Sequence, residues 1–89
     1  MGNQNAATCH HLKDINLSVL ERQTSQCEEC GLGAPTRVCL TCGHVGCCES
    51  TRGHARAHAL ETQHPLIREL PNSGNSFTWC YQCNAYVNL

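Results

Sequence analysis

Large aromatic side chains are scarce in this chain: one Phe, one Trp and two Tyr among 89 residues. The 40% hydrophobic fraction is inflated by nine cysteines, so the conventional apolar core is thin, and domains this small often need covalent or metal staples. A basic excess is also missing. Six Lys plus Arg against seven Asp plus Glu leave a formal charge of -1, which argues against nucleic acid, normally met by a basic face that releases counterions. No apolar run reaches the length needed to span a bilayer. The opening MGNQNAATCHH carries neither the basic segment nor the apolar stretch of a signal peptide, and its likeness to a myristoylation site stops at Ala6, where Ser or Thr is expected. Low-complexity tracts and long linkers are absent as well. The expectation is a single domain over residues 1–89, cytoplasmic, without membrane or nucleic-acid partners.

What the chain does have is cysteine and histidine. Disulfides and metal both use cysteine, but an odd count of nine, three C-x-x-C pairs and six histidines fit metal, because disulfide frameworks have no need of histidine. Residues 12–26 are mixed polar and apolar without a sustained period, and read as an irregular arm with room for a short strand. TRVCL at 36–40 reads as a strand. A helix is expected over about 53–62, with Ser50 and Thr51 as caps, alanines and Leu60 within it, and Pro65 forbidding much continuation. LIREL at 66–70 alternates like a strand, PNSGNS at 71–76 is a turn, and AYVNL at 85–89 closes as a last strand. The fold class is α+β, a small zinc-stabilised domain.

Zinc in a structural site takes four Cys or His ligands. Cys27 with Cys30, Cys39 with Cys42, and Cys80 with Cys83 each supply half a site. Gly31, Gly43 and Asn84 follow these pairs, and all three types tolerate the left-handed backbone that a turn around a metal needs. The other halves come from Cys9 with His11, His54 with His58 one helical turn apart, His64 and Cys47, giving twelve ligands for three zinc ions. His10, His44 and Cys48 are left over. Spacing does not pair the halves: sequential and crossed schemes both remain, and His54 and His58 can share one ion or serve two.

The ordered series C-x-H, CEEC, CLTC, GC, GHARAH, QHPL and WCYQC closely resembles the UBP-type, or polyubiquitin-associated, zinc finger of deubiquitinases and a ubiquitin-binding histone deacetylase, from Cys9 to Tyr86. The wording CGHVGCCES is most similar to stand-alone bacterial members, where ubiquitin would be unexpected. The resemblance implies a crossed arrangement. Cys9, His11, Cys80 and Cys83 would hold one ion, Cys27, Cys30, Cys47 and His54 a second, and Cys39, Cys42, His58 and His64 the third. It also implies a twisted antiparallel sheet flanked by one or two helices. Every site would be closed, whereas a catalytic zinc keeps an open position. His54 is followed by Ala55, so the glutamate of an H-E-x-x-H protease is missing. No enzymatic activity is expected.

In ubiquitin-binding members the aromatics around the last C-x-x-C line a pocket for the free C-terminal Gly-Gly of ubiquitin. Trp79, Tyr81 and Tyr86 match those positions; flat aromatic walls suit a glycine tail, and tyrosine hydroxyls can bond its peptide groups. The matching arginine is replaced by Glu49, which would repel a carboxylate, and Arg37 stands where the family has a tryptophan. Arg37 or Arg52 is the candidate substitute cation. The resulting expectation is a zinc-binding interaction module for a protein or peptide tail, with ubiquitin as an alternative partner. A redox-responsive role resting on Cys48, the cysteine outside the ligand set, is a further alternative.

Overall fold

The computed structural model describes residues 15–21, 24–33, 35–48, 51–70, 72–73 and 75–87. Five strands form one antiparallel sheet in the order β2-β1-β3-β4-β5, with β1 at Thr36–Cys39, β2 at Val45–Cys47, β3 at Leu66–Leu70, β4 at Thr78–Cys80 and β5 at Ala85–Tyr86. Among the described residues one α-helix, α1, spans His54–Thr62 between β2 and β3. The expected strands at 36–40 and 66–70 are present, and the expected last strand survives as Ala85–Tyr86, residues 88–89 lying outside the described set. The arm differs from expectation: Leu17–Glu21 form a 3-10 helix rather than a strand. Asn16 starts it, its side-chain Oδ1 accepting from the Ser18 amide at 3.1 Å and hydroxyl at 2.7 Å, a local bond that favours a turn over an extended chain.

Side chains alternate across a strand, and the two faces of this sheet are covered differently. One face carries Val38, Leu40, Val45, Leu66, Leu70, Cys80 and Val87, closed by Val19, Ile15 and Leu20 of the arm. The Asn16 amide bonds the Leu40 carbonyl at 2.7 Å and ties the arm down. The opposite face receives α1 through its small buried residues Ala55 and Ala59. Gly46 permits this docking: a Cβ there would lie 2.5 Å from the Ala55 nitrogen. On the same face, Cys39, Ile67, Trp79 and Tyr86 stand side by side in register across four strands.

The start of α1 departs from the expected cap. Its N-cap is Gly53 at φ 69°, with no side-chain bond; the amides of Thr51 and Gly53 both reach the Cys48 carbonyl at 2.9 Å. These two bonds to Cys48 anchor Thr51 and Gly53, and His54 takes the first helical position. Ser50 lies outside the described residues. At the other end Gln63, at φ 63°, returns its amide to the Ala59 carbonyl, and Pro65 follows two residues later. The turn after β3 is pinned by Arg68, which donates to Asn72 Oδ1 at 2.5 Å, to the Ser73 carbonyl at 3.0 Å and to Thr78 Oγ1 at 2.9 Å. Among the described residues no helix is long and apolar enough to cross a membrane.

Candidate functional site

Each C-x-x-C pair is built on the same local device. The amide after the pair donates to the carbonyl of its first cysteine: Gly31 to Cys27 at 2.8 Å, Gly43 to Cys39 at 2.8 Å and Asn84 to Cys80 at 2.7 Å. All three residues take positive φ, 77°, 87° and 56° respectively, as their types led one to expect. Backbone amides also point at sulfur, Glu29 to Cys27 Sγ and Cys83 to Cys80 Sγ, both at 3.3 Å. Such donors favour a thiolate.

Helix α1 delivers its histidines to two different groups. His54 places Nδ1 3.4 Å from Cys27 Sγ and 3.4 Å from Cys47 Sγ, while Cys30 Sγ lies 3.9 Å from Cys47 Sγ. One turn on, His58 places Nε2 3.3 Å from Cys42 Sγ, joined by Cys39 and His64. Within each group of four the ligand atoms all lie within 4.8 Å of one another. These spacings are the edges of a tetrahedron. Zinc bonds of about 2.3 Å to sulfur and about 2.0 Å to nitrogen put sulfur–sulfur edges at about 3.8 Å and sulfur–nitrogen edges at about 3.5 Å. Two Cys/His groups therefore have donors and spacing suited to zinc. Cys80 is buried and Cys83 exposed at the end of β4; Cys9 and His11, expected with them, lie outside the described residues, as does Glu49.

The electrostatics of the groups favour a cation. Burial pushes the Cys27 thiol up, but the backbone at Cys30 and Glu29 and the side chains of His54 and Cys30 outweigh it and bring it to about 6. Backbone bonding at Leu32 pulls the Cys30 thiol down, yet burial and the sulfurs of Cys27 and Cys47 leave it raised. Cys39 is raised by burial, which together with the Cys42 side chain outweighs the lowering by the backbone at Cys42 and Thr41. His58 is held below the usual imidazole range by burial, helped by His44 and His64 and opposed by Glu29 and Glu28. Crowded thiols resist joint ionisation until a metal supplies the opposing charge. His64 Nδ1, moreover, is buried with no hydrogen-bond partner.

His44, left over when the sequence is counted, supports both groups. Its ring stacks on His58 at 4.1 Å between centroids, 4° from parallel, and its Nε2 lies 3.0 Å from Glu29 Oε2 in the turn between Cys27 and Cys30. Sequence reading gave neither Glu29 nor His44 this bridging position, because it depends on the β1–β2 hairpin. Cys48 is buried and outside both groups; its Sγ lies 3.5 Å from Thr51 Oγ1.

Between α1 and the sheet opens a cavity of about 530 Å³. Trp79, Tyr81, Tyr86 and Arg37 line it as the sequence suggested, together with Phe77 and Arg56, which it did not single out. Tyr86 meets Trp79 edge-on at 4.9 Å and Phe77 at 5.4 Å, an arrangement that aromatic quadrupoles favour. The Arg37 guanidinium lies 4.7 Å over the Phe77 ring. Arg52 is not in this cavity. It lines a neighbouring depression with Gly53, Arg56, Ala57 and Leu60, because it precedes α1 whereas Arg56 sits within the helix, one turn before Leu60.

A family model described as a Zn-finger in ubiquitin-hydrolases and other proteins, zf-UBP, matches residues 27–89. The chain belongs to the zf-UBP family. Its similarity extends to the NAD-dependent deacetylase sir2A of Dictyostelium discoideum, 36% identical over 94% of this chain and 17% of that protein. Histone deacetylase 6 of Caenorhabditis elegans is 34% identical over 92% of the chain and 8% of its own length. The zf-UBP chain thus spans less than a fifth of these curated relatives. In structure it resembles protein RPA1320 from Rhodopseudomonas palustris, solved by solution NMR, with a TM-score of 0.69 and 36% identity over 92% of this chain and 82% of that one.

Proposed function

We propose that this zf-UBP domain is a zinc-held interaction module, without catalytic activity of its own, that takes a protein or peptide tail in its aromatic cavity. Three zinc ions hold it. Cys27, Cys30, Cys47 and His54 bind one, Cys39, Cys42, His58 and His64 a second, and Cys80 and Cys83 bind the third with Cys9 and His11. The tetrahedral edge lengths support the first two. Every Cys and His of these sets is then engaged, leaving no open metal position for water.

The observation that carries the binding role is the cavity itself. Trp79 and Tyr86 form a right-angled aromatic corner beside the Cys80–Cys83 turn, and a tail without bulky side chains fits such a slot while its carboxylate meets Arg37. Small-molecule pockets of comparable volume, roughly 300–1,000 Å³, bury most of their ligands. The test is an NMR titration of the zinc-loaded chain with ubiquitin, with ubiquitin lacking its terminal Gly-Gly, and with short peptides ending in Gly-Gly. Tail-dependent shifts at Trp79, Tyr81 and Tyr86 are expected for at least one free-carboxylate tail. Ubiquitin, suggested by the family's occurrence in ubiquitin-hydrolases, is named as donor only if its own tail produces them. No tail-dependent shift with any of these probes contradicts the reading.

A further inference from the structure

His44 and Val45, at the entry to β2, are held from both of the described zinc groups. The His44 carbonyl accepts the Cys39 amide at 2.7 Å, and its ring stacks on His58 with centroids 4.1 Å apart; both partners belong to the group of Cys39, Cys42, His58 and His64. The same ring reaches the other group through Glu29, whose Oε2 lies 3.0 Å from His44 Nε2 and whose backbone forms the turn between Cys27 and Cys30. Val45 grips that turn as well. Its carbonyl accepts the Glu28 amide at 2.8 Å, and its own amide donates to Glu28 Oε2 at 3.2 Å. Helix α1 is shared too, giving His54 to one group and His58 to the other.

A carboxylate–imidazole contact whose carboxylate side chain is 52% exposed contributes little stability by itself. Its place between two metal groups gives it another role. Zinc in the Cys39 group fixes the His58 ring and the turn that begins at Cys39, and so fixes the ring and carbonyl of His44 that bear on them. A fixed His44 then holds Glu29, and with it the spacing of Cys27 and Cys30. Outer partners of metal ligands act on affinity by such positioning, and coupling between sites needs an element that both of them bias. We infer that the two zinc groups are coupled through His44, Val45 and the Cys27–Cys30 turn, so that zinc in either raises the affinity of the other by about tenfold, within the usual range for linked sites. Linkage makes the effect equal in both directions. Each group still fills alone at saturating zinc, but half-loaded chains are suppressed and falling zinc empties both groups over a narrow range. The inference rests on both groups holding zinc and adds the dependence of one on the other.

The experiment takes the full chain through a series of zinc–chelator buffers, with the NMR amide signals of Gly31 and Gly43 each reporting the loading of the cysteine pair before it. His58→Ala dismantles one group and should raise the free zinc needed to hold the Gly31 signal by about tenfold; an unchanged midpoint overturns the coupling. Glu29→Ala keeps every ligand. Positioning through His44 predicts that the Gly43 midpoint moves about threefold to higher zinc, although Glu29 lies in the other group's turn, and that the effect of His58→Ala on Gly31 falls to about threefold when both changes are combined. A purely local role for Glu29 moves Gly31 alone, and that result overturns the inference. If His58→Ala does not fold, judged by the core amides of Val38 and Leu66 at saturating zinc, the Gly43 response to Glu29→Ala decides. Wild-type Gly31 and Gly43 signals that ignore zinc removal overturn zinc in these groups and the inference with it.

Discussion

Gly46 shows how much rests on one missing methyl group. A Cβ there would sit 2.5 Å from the Ala55 nitrogen and 2.8 Å from the His54 carbonyl carbon, so Gly46→Ala has to push the start of α1 away from β2. Overpacking of this kind costs about 1–3 kcal/mol, and here it also draws His54 from Cys27 and Cys47. Gly46→Ala should lower the midpoint of thermal unfolding and weaken one zinc site; a wild-type midpoint would show that the helix is not seated as described. His44 offers a second test. Outer partners of metal-binding histidines typically matter by about 10- to 100-fold in affinity, so His44→Ala should weaken zinc at the Cys39–Cys42 group by about tenfold in competition with a chelating dye. Unchanged competition would reduce its stack on His58 to incidental packing. The C-x-x-C turns were legible in the sequence because their chemistry is local: a residue tolerant of positive φ follows each pair. Arg56 was not, because the cavity it lines exists only once α1 is laid across the sheet.

The helix is the element on which the two described groups depend. Its 3.6-residue period puts His54 and His58 on one side, but His54 uses Nδ1 and His58 uses Nε2, so neighbouring rings reach different sulfurs. His54→Ala and His58→Ala should therefore each remove one zinc, and the double variant two, as read by native mass spectrometry. If either single variant lost both of these ions, the two groups would have to be one cooperative unit rather than separate sites. The strands at 36–39 and 66–70 could be read in advance because each is long enough to show an apolar pattern. Val45–Cys47 and Thr78–Cys80 could not. Three residues show no period, and both strands end in a cysteine whose presence reflects metal chemistry more than sheet formation.

For the whole molecule, the apolar core gathered around Val38, Leu40, Val45, Leu66 and Leu70 is small, and the metal groups fasten what it does not reach. The Cys27–Cys30 turn is held to β2 and α1, and the Cys39–Cys42 turn to α1 and the segment before β3. Structural zinc contributes roughly 10–16 kcal/mol of apparent binding energy per ion in small fingers, so one ion supplies about as much as the whole margin of about 5–15 kcal/mol by which domains are usually stable. Removal of zinc by a strong chelator should abolish cooperative unfolding in circular dichroism, and added zinc should restore it. That His54 and His58 join different cysteine pairs was expected through family resemblance, not through spacing, because it depends on which loops the sheet order brings together. The central claim, a domain held together by zinc, is tested most directly by weighing the full chain intact under native conditions after zinc-supplemented expression, before and after chelation. Three bound ions, with the compact charge states lost on chelation, are expected. Fewer than two ions, or a compact chain that persists without metal, would contradict it.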